Sequence, residues 1–498
     1  MPSGAILAID QGTTSSRAIV LGAQGEVLGA SQKEFTQHFP QAGWVEHDAA
    51  EIWTTQLGCI QTALAKSGLT AKDLSGIGIT NQRETVVVWD RRTGVPIHNA
   101  IVWQDRRTAS TMTAMKTDGR EAWLRARTGL LADPYFSASK AAWILEHVAG
   151  ARARAERSEL VLGTIDSWII WNLTGGRVHA TDASNASRTL LFDLRTVAWS
   201  DELCAMFSIP SSMLPKVVES AGVIAETDAA LLGASVPICG IAGDQQAALL
   251  GQGCVEAGNA KNTYGTGCFL LANAGMKCPT PPTGLLATVA WKIGSEVSYA
   301  IEGGVFTGGA AIQWLRDGLH LIQSASEVNT LAASVPDAGG VMAVPAFAGL
   351  GAPWWDPNAR ACILGLTRGS TSAHVARATL EGIAHQVCDL VEAIAPALPH
   401  AMQRLRVDGG AAASDLLMQT QADLLGMEIV RPTNLESTAI GAANLARLGA
   451  GIVRSVREFG MPSGVGRTFL PTLDAASRTI HRTRWTHAVQ RARSLDLP

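Results

Sequence analysis

The stretch Gly240-Ile241-Ala242-Gly243-Asp244-Gln245-Gln246-Ala247-Ala248-Leu249-Leu250-Gly251 stands close to the midpoint of the 498-residue chain. Glycines 240 and 243 let the backbone turn tightly and come close to a ligand. Gln245 to Leu250 read as the first turns of a small-residue helix, which puts the Asp244 carboxylate at a helix start. A hydroxyl held against it could hydrogen-bond to it and lose its proton while attacking an electrophile. Asp is also a preferred N-cap residue, and the helix dipole favours its ionised form and weakens it as a base. The stretch by itself leaves both readings open.

A second group is Asp10-Gln11-Gly12-Thr13-Thr14-Ser15-Ser16-Arg17. Backbone N–H groups and hydroxyls of this kind donate to phosphate oxygens, and Arg17 adds a charge-assisted bond. Asp10 could hold Mg²⁺, directly or through water. A polar hairpin turn has a similar composition. No Gly-x4-Gly-Lys-Ser/Thr loop occurs in the chain, so a nucleotide site is of another kind. Arg83-Glu84, after a strand-like run, can donate to and accept from neighbouring hydroxyls of one small polyol; an exposed ion pair is the alternative. Trp103 and Tyr135 supply aromatic faces for C–H groups or for packing.

Ala5–Asp10, Arg17–Leu21 and Glu26–Phe35 form an antiparallel meander with Gln24-Gly25 at the second turn. Asp48-x-x-Glu51 opens a helix in the manner of a capping box, and Gly76–Thr80 is a buried strand running into Asn81-Gln82-Arg83-Glu84. After Gly251 the pattern returns: strand Ala260–Tyr264, turn Gly265-Thr266-Gly267, strand Cys268–Ala272, and a run Val297–Ile301 leading into Glu302-Gly303-Gly304. This echoes the opening meander and its following strand and predicts an internal duplication, with both turns in a cleft between similar domains. Gly308-Gly309 precedes a helix start able to approach nucleotide closely. Ser372–Ala395 is a helix with an apolar stripe at 376, 380, 383, 387, 390, 391 and 394, stopped by Pro396. Leu405–Ala411 reads as strand, glycine turn, helix.

Composition bounds the class. A chain of 498 residues exceeds the size at which single cores stop growing, so two domains are the default. Net charge is −3 and no run of Lys or Arg exceeds two residues, which argues against a nucleic-acid partner; Arg152, Arg154 and Arg157 read as a solvated helix face. The eight cysteines show no Cys-x-x-Cys or zinc-like pairing. Cys239, Cys268 and Cys362 read as small hydrophobes, a usage that suits a reducing cytoplasm. The N-terminus does not read as a signal peptide, and no apolar run is long enough for a membrane span.

Tyr135, Ser137, Lys140, Trp143, Glu146 and His147 stand at the spacing of the first signature of the FGGY carbohydrate kinases. Ala361-x-Ile363-x-Gly365-Leu366 and, seven residues on, His374-Val375-x-x-Ala378-Thr379-Leu380-Glu381 fit the second. Thr181–Thr189 is also similar to a stretch of that family. The resemblance covers nearly the whole chain, and Asn81-Gln82-Arg83-Glu84 with Gly243-Asp244-Gln245-Gln246 points to its glycerol branch.

The resemblance implies an α/β fold of two ribonuclease-H-like domains of the actin/sugar-kinase type flanking a central cleft. Residues 1–250 would carry glycerol and the phosphate loop, and residues 251–498 would bind nucleotide. It implies MgATP and glycerol as ligands, with sn-glycerol 3-phosphate and ADP as products. Asp244 resembles the catalytic base. Arg83, Glu84, Tyr135, Asp244 and Gln245 resemble glycerol-binding groups, with Trp103 and Phe269 as hydrophobic walls. Thr13, Thr14, Ser15, Arg17, Thr266, Gly309, Gln313 and Gly410 look like nucleotide contacts, and Asp10 like the Mg²⁺-associated carboxylate. Family members usually carry Asn-Asn where Ser414-Asp415 stand; Ser414 could still hydrogen-bond near the adenine. Some bacterial relatives carry an arginine in the loop that binds fructose 1,6-bisphosphate. Here that loop is one residue shorter, with Ser235 at the corresponding place, so this inhibition is expected to be lost. A homo-oligomer, dimer or tetramer, is expected. The competing readings are a kinase of the same family for a pentulose or another sugar, and a non-catalytic actin-like nucleotide-binding protein.

Overall fold

The computed structural model describes residues 4–434, 436–459 and 464–493. Sheet one contains β1 (Ala5–Gln11), β2 (Ser15–Leu21), β3 (Val27–Glu34), β4 (Leu74–Asn81), β5 (Ala221–Glu226) and β6 (Pro237–Gly243) in the order β5-β6-β4-β1-β2-β3. β1, β4 and β6 are parallel; β2, β3 and β5 are joined antiparallel. Sheet two contains β7 (Ala260–Tyr264), β8 (Cys268–Gly275), β9 (Leu286–Ile293), β10 (Glu296–Val305), β11 (Arg404–Asp408), β12 (Glu428–Pro432) and β13 (Val465–Phe469). Its order is β9-β10-β8-β7-β11-β12-β13. Apart from the extra edge strand β9, the second sheet repeats the order and strand directions of the first.

The echo read from sequence needs two corrections. Val297–Ile301 lies in β10 and fills the third place of the second meander, whereas the parallel strand after it is β11, about a hundred residues later. Glu302-Gly303-Gly304 does not follow that strand but belongs to it, because β8 pairs with it through Val305.

The helices that bear on the site are α1 (Ala49–Ser67), α2 (Ser137–His147), α3 (Asp244–Gly251), α4 (Gly309–Asp317), α5 (Ser372–Ile394), α6 (Asp415–Leu425), α7 (Ser437–Gly449) and α8 (Ala475–Arg493). Asp48 caps α1 by accepting from Ala50 and Glu51 N–H. The reciprocal half of the predicted capping box is not made, since Glu51 accepts from Thr36 instead. The predicted stripe on α5 is buried throughout, from Ala376 to Ile394.

Strand β1 is covered on both faces, which explains its continuous apolar run. Leu7 and Ile9 join the cluster containing Ile52 and Ile60 of α1, while Ile6 and Ala8 join Ala439, Ala443 and Ala446 of α7. Each large aliphatic side chain so buried contributes roughly 1.5–3 kcal/mol. Helix α7 therefore comes from the second half of the sequence yet packs on the first sheet.

Glycines permit that approach. A Cβ on Gly78 would meet Ala442 O at 2.1 Å, and one on Gly441 would meet Ala247 O at 1.8 Å. Gly441→Ala is accordingly expected to force α3 and α7 apart and to lower the urea midpoint by the equivalent of about 1–3 kcal/mol. A midpoint equal to the parent's would show that the crossing is not close-packed.

Candidate active site

The chemistry-bearing residues converge because parallel strands place ligands beyond their carboxyl ends. Asp10 and Gln11 end β1, Asn81 ends β4 and Gly243 ends β6, so Asp10-to-Arg17, Asn81-to-Glu84 and Asp244 all leave one edge of sheet one. On sheet two, β7 ends at Tyr264 and β11 at Asp408, placing Gly265-Thr266-Gly267 beside Gly409-Gly410. A Cβ on Gly409 would lie 2.6 Å from Tyr264 O.

Asp244 is the first residue of α3, and Gly243 takes the N-cap position. Its Oδ1 accepts from the adjacent Gln245 N–H at 2.7 Å, so it is not the N-cap that its type suggested. The side chain keeps 30% exposure and ion-pairs with Arg83 Nε at 3.2 Å. Burial raises its pKa, while Arg83 and Lys261 oppose the rise. Ser184 Oγ accepts from Gly243 N–H at 3.0 Å and anchors the turn that carries it.

Arg83 and Glu84 are buried, at 3% and 1% exposure, which rules out the surface ion-pair reading. Arg83 donates to both oxygens of Glu302, at 2.6 and 2.9 Å, and its Nη2 stands 3.5 Å from the Tyr135 hydroxyl. Arg188 donates to Glu84 at 2.6 Å and to Glu302 at 3.1 Å. Two guanidiniums thus alternate with two carboxylates, and the Arg83–Glu302 and Arg188–Glu302 pairs cross between the sheets. Glu84 adopts a left-handed backbone, φ 61°, a conformation that costs of order 1–3 kcal/mol and persists where surroundings over-determine it. Glu302 and Arg188 are two residues of the site that the sequence did not announce. Both lie in stretches that had been singled out, but their charge pairing joins positions more than a hundred residues apart.

Trp103 lies edge-on to Tyr135 at 5.6 Å and to Phe269 at 6.3 Å between ring centroids. The three half-buried rings make an aromatic wall beside Arg83. Trp103 Nε1 also donates to Thr13 Oγ1 at 3.0 Å, tying the wall to the hydroxyl-rich turn. Tyr135 is held by Lys140, whose buried Nζ donates to the carbonyls of Pro134, Tyr135 and Phe136 at 2.7, 2.7 and 3.0 Å. Gln245 is half-buried next to Asp244 and accepts from Lys261 Nζ.

In the first turn, Ser15 Oγ accepts from Gln32 and Arg17 pairs with Glu436, the residue before α7. Thr14 is exposed. Burial pushes the Asp10 carboxyl up to about 7; Arg17 opposes that rise, and Asp244 and Glu436 add to it. In the second turn, Thr266 is exposed, and Gly309 and Ala310 donate to the carbonyls of Gly265 and Thr266 at 2.8 and 3.2 Å. The start of α4 is therefore docked on the turn with part of its N–H set already used. Gln313 and Gly410 are exposed nearby on α4 and after β11. Ser414 is less available than its neighbours: it is 5% exposed, caps α6 by accepting from Leu417 N–H, and donates to Asn329 Oδ1.

Twin sheets of this topology, with a buried Arg–Glu network and two hydroxyl-bearing turns at their strand ends, define a class, and the chain belongs to it: the FGGY family of carbohydrate kinases. Residues 5–251 match the family's N-terminal domain and residues 260–450 its C-terminal domain. Within that family, the chain is 57% identical to a glycerol kinase of Trichlorobacter lovleyi, covering 99% of each chain. It is 55% identical to a glycerol kinase of Rhodopirellula baltica, covering 98% of this chain and 91% of the relative. Among solved structures, the Plasmodium falciparum glycerol kinase with ADP superposes with a TM-score of 0.93 at 33% identity, covering 99% of each chain.

Proposed function

We propose that this chain transfers the γ-phosphoryl group of ATP to glycerol, giving sn-glycerol 3-phosphate and ADP. The observation that carries the reading is the half-exposed Asp244 carboxylate fixed by Arg83 beside the Trp103–Tyr135–Phe269 wall. The site offers a carboxylate acceptor, guanidinium and phenol partners for neighbouring hydroxyls, and rings for the C–H groups between them. The identity to named glycerol kinases supports the same substrate.

In this mechanism Arg83, Glu84, Tyr135 and Gln245 orient glycerol, and Asp244 accepts the hydrogen bond of the reacting hydroxyl. Burial makes this carboxylate more basic than a helix-start aspartate would otherwise be. Phosphoryl transfer depends on in-line placement and charge neutralisation more than on covalent help, so Asp244 orients the hydroxyl first and takes its proton late. Bound MgATP supplies the electrophilic phosphorus and a divalent charge. Asp10 fits the metal: a carboxylate raised by burial and crowded by Asp244 and Glu436 gains from a nearby cation. Mg²⁺ commonly takes one or two protein carboxylates, with phosphates and water completing the shell. Thr13, Thr14, Ser15 and Arg17 from one turn, and Thr266, Gly309, Gln313 and Gly410 from the other side, are the proposed nucleotide contacts. Ser414 supports the adenine end through its hold on Asn329 and α6.

The division into domains 1–250 and 251–498 is part of this reading, with α7 a segment of the second that packs on the first sheet. Homo-oligomeric assembly and a cytoplasmic location belong to it also, on family grounds. Among the described residues no helix is long and apolar enough to cross a membrane.

Steady-state assays with ATP and a panel of polyols and pentuloses test the reading. Glycerol should be the preferred substrate; a pentulose preference would support the sister activity, and no turnover on any would favour a non-catalytic nucleotide-binding protein. In the same assay fructose 1,6-bisphosphate should not inhibit. Ser235 Oγ donates to Glu226 at 2.8 Å, so this loop presents a carboxylate where a bisphosphate needs a cation.

A further inference from the structure

We infer that Lys261 is a positioning residue for Gln245, so that sheet two fixes the orientation of one hydrogen-bonding group of the polyol site. Lys261 lies on β7 and is fully buried. Its Nζ donates to Gln245 Oε1 on α3 and to Thr263 Oγ1 at 2.8 Å. An ammonium group has donors and no acceptor, so it can meet only the oxygen end of the Gln245 amide. That contact sets the flip of the amide, so Nε2 is the end left to donate on this half-buried side chain. A hydroxyl that gives its proton to Asp244 has lone pairs left to accept from a neighbouring donor, and the Gln245 amide is one residue away.

A purely structural role explains the residue poorly. Taking an ammonium out of water is costly, so a lysine at this position makes sense where its donors are used. Burial pulls the Lys261 ammonium below its ordinary value, and the carboxylates of Asp408 and Asp244 oppose that fall.

The inference rests on the proposed glycerol kinase activity and is tested by a double-mutant cycle in the full-length enzyme. Lys261→Met and Gln245→Ala should each raise the KM for glycerol about tenfold, the size of one lost hydrogen bond, while leaving the KM for ATP within about twofold. The double variant should be no worse than the poorer single variant. Effects that multiply to about a hundredfold, or a KM for ATP that rises in parallel, would overturn the inference. Lys261→Arg, which keeps a cationic donor, covers the case in which Lys261→Met does not fold: a glycerol KM near the parent's supports the role, and a tenfold rise with ATP affinity intact contradicts it. A parent enzyme without glycerol turnover would refute the function itself; an additive cycle in an active parent would refute only the part played by Lys261.

Discussion

Asp244→Asn is expected to retain the fold and nucleotide binding while glycerol phosphorylation falls by about 10²–10⁴-fold, the usual contribution of a positioned general base. Asparagine matches aspartate in shape and preserves the α3 start, where Gly243 holds the N-cap position. It loses the charge paired with Arg83 and the capacity to take a proton. The loss should fall on kcat and kcat/KM together, since the interaction strengthens as the hydroxyl attacks. Thermal unfolding and nucleotide titration report the intact fold, and turnover near the parent's would remove Asp244 from the mechanism.

Glu302→Gln is expected to have the largest effect on stability. Glu302 is the shared partner of Arg83 and Arg188, and removing one member of a buried ion pair typically costs about 3–5 kcal/mol because the remaining charge stays buried. Arg83 also loses the bidentate hold that aims it, so the KM for glycerol should rise as well. Burial works to raise the Glu302 carboxyl, but Arg188 and Arg83 overrule it and bring the value from 4.5 to about 2. A depressed carboxyl contributes stability that is complete above the unfolded value and is lost as pH falls through the folded one. The parent should therefore lose stability between about pH 4.5 and pH 2, and Glu302→Gln should show a shallower decline across that window. Equal slopes would separate Glu302 from the acid sensitivity of the fold.

The legible part of the chain was that written in local pattern. The opening meander, the α1 cap, the α5 stripe and the repeated strand–turn–strand after Gly251 follow from periodicity and turn residues, and their positions agree with the structure. Asp244, Arg83, Trp103 and Tyr135 were legible as candidates from residue type, and Phe269 through the family resemblance; the fold brings the five into one connected cluster. Pairings between distant residues were not legible. Nothing near Arg83 announces Glu302, and nothing near Gln245 announces Lys261, because sheet pairing and helix docking create both contacts. β10 read as ending at Ile301 because Glu302-Gly303-Gly304 has poor strand propensity, and its pairing with β8 overrides that preference. The role of α7 was hidden for a similar reason: its small residues signal close packing without saying against what.

In the proposed mechanism Asp244 faces the hydroxyl that receives the phosphoryl group. A crystal structure with glycerol and a non-hydrolysable ATP analogue tests this most directly. A terminal glycerol hydroxyl is expected about 2.6–3.2 Å from an Asp244 carboxylate oxygen, with Arg83 and Tyr135 on its neighbours. Glycerol bound away from Asp244, or Asp244 turned from both glycerol and the terminal phosphate, would contradict it.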